Sequence, residues 1–168
     1  MFVSSSLARK DETGCGSDDV PSIICRPMSE RDIYQVHDIH TSCVKHTLSE
    51  HYSPIEIRAW LIGRCPQGYW HGVLAGEDYW VADYNGAPIG FASARGDKLL
   101  SLFVAPTWQR AGVGSMMLGY EDRLTGIWQL EATLNAVGFY QHFGFRNISM
   151  GHVEKRGVRI PVVQMQRI

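Results

Sequence analysis

No apolar run in this chain is long enough to cross a bilayer as a helix. Neither charge sign is in excess: 16 Lys and Arg stand against 17 Asp and Glu, a formal net charge of -1. That balance gives nucleic acid and anionic lipid no non-specific hold. Cysteine is sparse, with residues at 15, 25, 43 and 65, and no two form a C-x-x-C pair. The even count permits two disulfides, but a chain of 168 residues can build a core that needs no staples. The cysteines read as free thiols in a reducing compartment, so the expected location is cytoplasmic. The first ten residues, Met1 to Lys10, lack the apolar stretch of a secretory signal.

What is present is the composition of one ordinary globular domain, 45% apolar and 20% charged. Residues 1–21 are small and polar with no period of 2 or 3.6, so a disordered or loosely attached tail is expected there. A single domain over 22–168 is expected to follow. Ile23 to Arg26 reads as a strand that Pro27 ends. Ser29 and Asp32 have the spacing of a capping box ahead of a helix carrying Ile33, Val36, Ile39 and His40. Ser53-Pro54 opens a second helix, and Gly63 with Pro66-Gln67-Gly68 reads as a loop. Residues 79–84, 89–94 and 99–104 form an antiparallel meander whose first turn is Asn85-Gly86.

Val113, Met116, Met117, Tyr120 and Leu124 recur at helical spacing. A strand is expected over 127–134, a short helix over 135–143, a stop at Gly144, and two strands over 145–153 and 158–167. The fold class is therefore α/β: a mixed sheet of about seven strands flanked by about four helices.

Two blocks carry chemistry. Gln109-Arg110-Ala111-Gly112-Val113-Gly114-Ser115 joins a strand to a helix through two glycines. A helix start presents unpaired N–H groups and partial positive charge, and glycines let a phosphate approach them. No lysine follows Gly114, which excludes a P-loop, and Met117 stands where a dinucleotide fingerprint needs a third glycine. Without a ligand the same segment is a plain strand-to-helix turn. The second block, Phe139-Tyr140 before Gly144-Phe145, sets a phenol in a helix just ahead of its stop.

Together with Leu102-Phe103-Val104-Ala105-Pro106, these blocks resemble the GCN5-related N-acetyltransferases. The resemblance covers about 77–146 and implies that family's fold. It implies a loop, Gln109 to Ser115, that binds the pyrophosphate of acetyl-coenzyme A, and a strand end, Phe103 and Val104, that meets the pantetheine arm. It further implies coenzyme contacts from Thr133, Asn135, Phe139 and Tyr140, with the Tyr140 phenol beside the sulfur. Two departures stand out. Relatives often place a carboxylate where this chain has Leu100, and an asparagine where it has Thr133, with Asn135 two residues on.

The implied activity is direct acetyl transfer to an amine, with acetyl-coenzyme A as co-substrate and no metal. The implied acceptor is a small-molecule amine; a protein lysine or N-terminus, or an acyl-coenzyme A sensor without turnover, are the alternatives. Tyr140 and Glu131 are the candidate catalytic residues, and a water chain is the alternative base. Neither nucleic acid nor membrane is an expected partner, while exposed C-terminal strands suit a homodimer.

Three further groups stand out. His37, His40, Cys43 and His46 are ligand types, but a three-residue step drifts around a helix, so they do not converge on a metal. Trp60, Tyr69, Trp70, Tyr79 and Trp80 suit either the core or the wall of an amine pocket. Lys155 to Arg159 reads as a basic hairpin tip, either solvated or against the 3′-phosphate of the coenzyme.

Overall fold

The computed structural model describes residues 22–167, apart from the side chains of 121–125. The expected tail over 1–21 lies outside the described residues. Seven strands form one sheet: β1 (Ile23–Pro27), β2 (Asp78–Tyr84), β3 (Ala87–Arg95), β4 (Lys98–Val104), β5 (Gln129–Ala132), β6 (Phe145–Lys155) and β7 (Val158–Arg167). Their order is β1-β2-β3-β4-β5-β7-β6, antiparallel throughout except for the β4–β5 pair.

Among the described residues five α-helices cover the sheet: α1 (Ile33–Ser42), α2 (Pro54–Leu61), α3 (Pro66–Leu74), α4 (Val113–Thr125) and α5 (Val137–His142). Alternation divides the strands between the two faces. Trp80, Ala82, Ala92 and Leu99 meet Met117 and Leu118 of α4. Val81 and Phe91 meet Val36 and Ile39 of α1 and Tyr69 of α3 on the other face. Trp60 of α2 packs with Tyr52 and Ile160 in a third cluster.

Local chemistry accounts for these elements. Asn85 (φ 52°) and Gly86 (φ 83°) adopt the left-handed turn that joins β2 to β3. The Ser29 N–H donates to the Asp32 carboxylate at 2.8 Å, closing the expected box before α1. Arg26 then bridges Asp32 (2.7 Å) and Asp83 (2.8 Å), tying β1, β2 and the start of α1 together. Burial works to raise the Asp32 pKa, but hydrogen bonds from Arg26 and Ser29 outweigh it and hold the carboxyl below its usual range.

Two expectations need correction. Helix α3, Pro66–Leu74, takes in Pro66-Gln67-Gly68, where a loop was expected. Pro66 sits in the tolerated first turn, and Gly72 admits the Tyr79 ring, 3.0 Å from where a Cβ would lie. Strand β5 is Gln129–Ala132 and not the longer span 127–134. At its start the Trp128 and Gln129 N–H groups donate to the Asp97 carbonyl (2.9 and 3.2 Å). At its end Thr133 caps a short 3-10 turn, Leu134–Ala136, whose first N–H is taken by the Tyr52 hydroxyl at 3.0 Å.

Candidate active site

The site begins where the sheet opens. β4 and β5 pair only at Lys98–Gln129 and Leu99–Leu130, and no ladder joins them beyond. The Ala105 N–H donates to the Ile89 carbonyl at 2.8 Å, so the neighbouring pair Gly90–Val104 is not hydrogen-bonded. The Val104 N–H and C=O therefore point away from β3 and into the opening. Cys43 Sγ and Gln109 Nε2 both donate to that carbonyl at 3.0 Å. Gln109 Nε2 also reaches Thr47 Oγ1 at 3.0 Å. The Gln109 side chain thus anchors its own loop.

On one side of the opening lies a cleft of about 840 Å³. Val104, Gln109, Arg110, Gly112, Gly114 and Ser115 line it, facing Asn135, Phe139 and Tyr140 from the α5 side. Gly112 turns at φ 82° and Arg110 at φ 62°. Met116 makes the first helical hydrogen bond of α4, to Gly112 at 3.0 Å, which leaves the N–H groups of Val113, Gly114 and Ser115 free at the helix start. Phe139 lies 3.4 Å from where a Gly114 Cβ would be, so a small residue keeps the aromatic ring close to the loop.

A second cleft of about 230 Å³ adjoins the first. Leu102, Ala136 and Tyr140 border both. Tyr140 is 6% exposed, and burial alone pushes its pKa well above the usual phenol range. Glu131 lines this cleft and holds Lys98 at 3.3 Å. Its neighbours Leu130 and Ala132 face the α4 core, so alternation turns Glu131 to the opposite face. Leu100 occupies a bulge, since Ser93 pairs with Ser101 and Ala94 with Leu99. It is 43% exposed and also lines the second cleft.

A third, outer cavity of about 400 Å³ shares Trp60, Arg64 and Lys155 with the second cleft. Tyr69, Tyr79 and Arg156 complete much of its wall. Beside it His40 is buried, with Nδ1 3.0 Å from the Tyr69 hydroxyl and 2.9 Å from Arg64 Nη1. A guanidinium only donates, so Nδ1 accepts and the ring proton belongs on Nε2. Burial first, then the charges of Arg64, His37 and Lys155, holds the imidazole pKa well below its ordinary value.

Most of the residues expected to meet the coenzyme converge on the first cleft, but not all do. The Phe103 ring packs at a tilt against His40, centroids 4.3 Å apart, on the other face, and Thr133 lines the second cleft. Val113 is buried in the core, which leaves only its backbone for a ligand, and Ala111 is exposed in the loop. Of the aromatic stretch, Trp60, Tyr69 and Tyr79 line the outer cavity. Trp80 is core, its indole N–H donating to the Met117 carbonyl at 3.2 Å.

Lys155 and Arg156 are exposed, as the solvated alternative for that hairpin has it, and they border the outer cavity and not the coenzyme-side cleft. Sequence reasoning missed Arg64, Lys98, and the lining residues Thr47, Glu50 and His51, and it weighed His46 as a metal-ligand type. Their spacing carries no motif; topology alone brings them together.

A splayed mixed sheet with two clefts meeting at a buried phenol has the architecture of an acyl-transfer enzyme. The acetyltransferase (GNAT) domain model matches residues 75–147. The uncharacterized N-acetyltransferase YafP of Escherichia coli (strain K12) is 33% identical over 126 residues, covering 75% of this chain and 83% of that protein. Two crystal structures share the fold. One is a GCN5-related N-acetyltransferase from Rhodopseudomonas palustris, with TM-score 0.80, 22% identity, and 87% and 95% of the two chains covered. The other is the PaiA N-acetyltransferase of Thermoplasma acidophilum in complex with coenzyme A, with TM-score 0.69, 19% identity, and 88% and 99% covered. The chain belongs to the GCN5-related N-acetyltransferase family, a family of acyltransferases.

Proposed function

We propose that this protein transfers an acetyl group from acetyl-coenzyme A to the primary amine of a small molecule, by direct attack with both substrates bound. The observation that carries this reading is the shared border: Leu102, Ala136 and Tyr140 line both clefts. The larger cleft fits the coenzyme. Free N–H groups at the start of α4, with Arg110 beside them, suit a diphosphate. The open edge of β4 suits a pantetheine arm.

Each residue then has an assigned task. The Val104 N–H points into the opening, where it donates to the thioester oxygen as charge develops there. Tyr140 stays neutral, so it donates to the departing thiolate and does not act as a base. Proton transfer from phenol to thiolate is uphill by about 2 kcal/mol at reference pKa values, and burial steepens that slope, so it completes late. Only about one alkyl amine in 10³ is neutral at pH 7, so a proton must leave the acceptor. Glu131, directly or through water, is the base assigned to it. Cys43 is no acyl carrier: burial pushes its thiol up to about 12, against hydrogen bonds from Gln109 and to Val104.

The free thiols at Cys43 and Cys65 suit a cytoplasmic location. The β6 edge, with Ile148 and Met150 exposed, suits self-association. Leu100 in the cleft favours a second reading, an acyl-coenzyme A sensor.

Release of free thiol from acetyl-coenzyme A across amines, peptides and proteins separates the two. Turnover with a small amine is expected, and Tyr140→Phe should lower kcat ten-fold or more at unchanged acetyl-coenzyme A affinity. An unchanged rate removes Tyr140 from the mechanism. Binding without turnover on any acceptor establishes the sensor.

A further inference from the structure

The acceptor side of the molecule holds more positive charge than its own acids neutralise. Arg64 comes from the α2–α3 connection, while Lys155 and Arg156 come from the end of β6 and the turn after it. All three line the outer cavity, and Arg64 and Lys155 also line the reaction cleft. Among the described residues no carboxylate pairs with any of them. Glu154 borders the outer cavity, but it forms no ion pair with them either. The cations feel one another: the Lys155 ammonium is drawn below its ordinary pKa, by burial first and then by Arg64. Lys155 and Arg156 are exposed and Arg64 is half-buried, so water screens part of their repulsion and an anion held between them would remove the rest.

A second, independent feature points the same way. His40 lines the reaction cleft and is 5% exposed. Its Nδ1 accepts from Arg64, while its Nε2 is buried without a hydrogen-bond partner. A buried donor without an acceptor is costly and calls for explanation. Arg64 and Lys155 lack a counterion and the enclosed His40 Nε2 lacks an acceptor, with Arg64 tied to the same imidazole through Nδ1. The β4–β5 side of the same cleft has the opposite character. There Glu131 holds only an ammonium, that of Lys98, and an amine can compete for that place.

We propose that the acceptor is a small amine that also bears an acidic group, held by Arg64 and Lys155 while its nitrogen faces Glu131 and Tyr140. This rests on the acetyltransferase reading above and narrows it to a substrate class. Trp60, Tyr69 and Tyr79 wall the outer cavity and accommodate whatever links or extends the two groups. Carboxylate and phosphonate share the recognising chemistry, a planar or tripodal oxyanion for the guanidinium fork.

The test compares kcat/KM, by thiol release from acetyl-coenzyme A, for amino acids, their carboxamides and aminoalkylphosphonates. Acid-bearing amines should exceed the matched carboxamides by at least about ten-fold, the scale of one charge-assisted contact. Ranking carboxylates against phosphonates identifies the acid. Lys155→Gln and Arg64→Gln should each shrink the acid-to-amide ratio about five-fold or more, through KM. Arg64 Nε also donates to the Trp60 carbonyl at 2.8 Å, so Arg64→Lys is the variant to use if Arg64→Gln fails to fold.

Carboxamides used as well as the acids, a ratio unchanged in the variants, or turnover of peptides alone would overturn the proposal. If acetyl-coenzyme A binds but no amine reacts, the acetyltransferase reading fails. Calorimetric binding of an amino acid and its amide to the coenzyme A complex then decides the charge claim by the same ratio.

Discussion

The two halves of the cleft are built in different ways. The cleft proposed for the coenzyme is mainly local: a strand end, a loop and a helix start lie within residues 102–115 and α5 follows at 137–142, with His46, Thr47, Glu50 and His51 joining from one further segment. The acceptor side is dispersed: His40, the Trp60–Arg64 stretch, Lys98, Glu131 and Lys155 come from five separate places in the chain. The contrast follows from what each side must hold. A diphosphate is gripped by backbone N–H groups, and these need a continuous segment with glycine where φ is positive. An acceptor is gripped by side chains, which any element can supply.

The contrast can be broken in order of expected effect. Arg26 lies in the scaffold common to both halves. Removing it as Arg26→Met leaves Asp32 and Asp83 buried and unpaired, which should cost about 3 kcal/mol of stability in a urea titration. Asp32 has a depressed folded pKa, so its stabilising contribution is present above the unfolded value of about 3.9 and is lost as pH falls through the folded value. The stability gap between wild type and Arg26→Met should therefore narrow below about pH 4. A gap independent of pH would show that Arg26 acts by packing alone.

Gly112→Val strikes the coenzyme side only. A β-branched residue at φ 82° costs about 2 kcal/mol of strain, or about 30-fold in acetyl-coenzyme A affinity if the loop shifts to relieve it. Equal affinity would show that the loop does not grip the coenzyme. The ten-fold loss expected for Tyr140→Phe is the smallest of the three and falls at the junction of the two halves.

The same contrast decides what could be read from the sequence. Asn85-Gly86, the capping box at Ser29 and Asp32, and the glycines before α4 are short-range signals, and each element formed where expected. α3 escaped because Pro66-Gln67-Gly68 looks like a loop, while Pro66 opens the helix and contact with Tyr79 gives Gly72 its reason. β5 is shorter than its apolar pattern because the Tyr52 hydroxyl, 82 residues away, captures the Leu134 N–H. Arg64 carried no signal, and Lys155 showed only as part of a basic hairpin tip. The β6–β7 hairpin brings one to the other, and nothing within either segment announces that meeting.

The claim at the centre is that the thioester is held between the Val104 N–H and the Tyr140 phenol, at the border of the two clefts. A crystal structure with acetyl-coenzyme A tests it directly. The expected result is a thioester oxygen within about 3.2 Å of the Val104 nitrogen, with the sulfur facing the Tyr140 hydroxyl and the diphosphate on the start of α4. A thioester lodged elsewhere, or a diphosphate away from Gly112 and Gly114, would contradict the account.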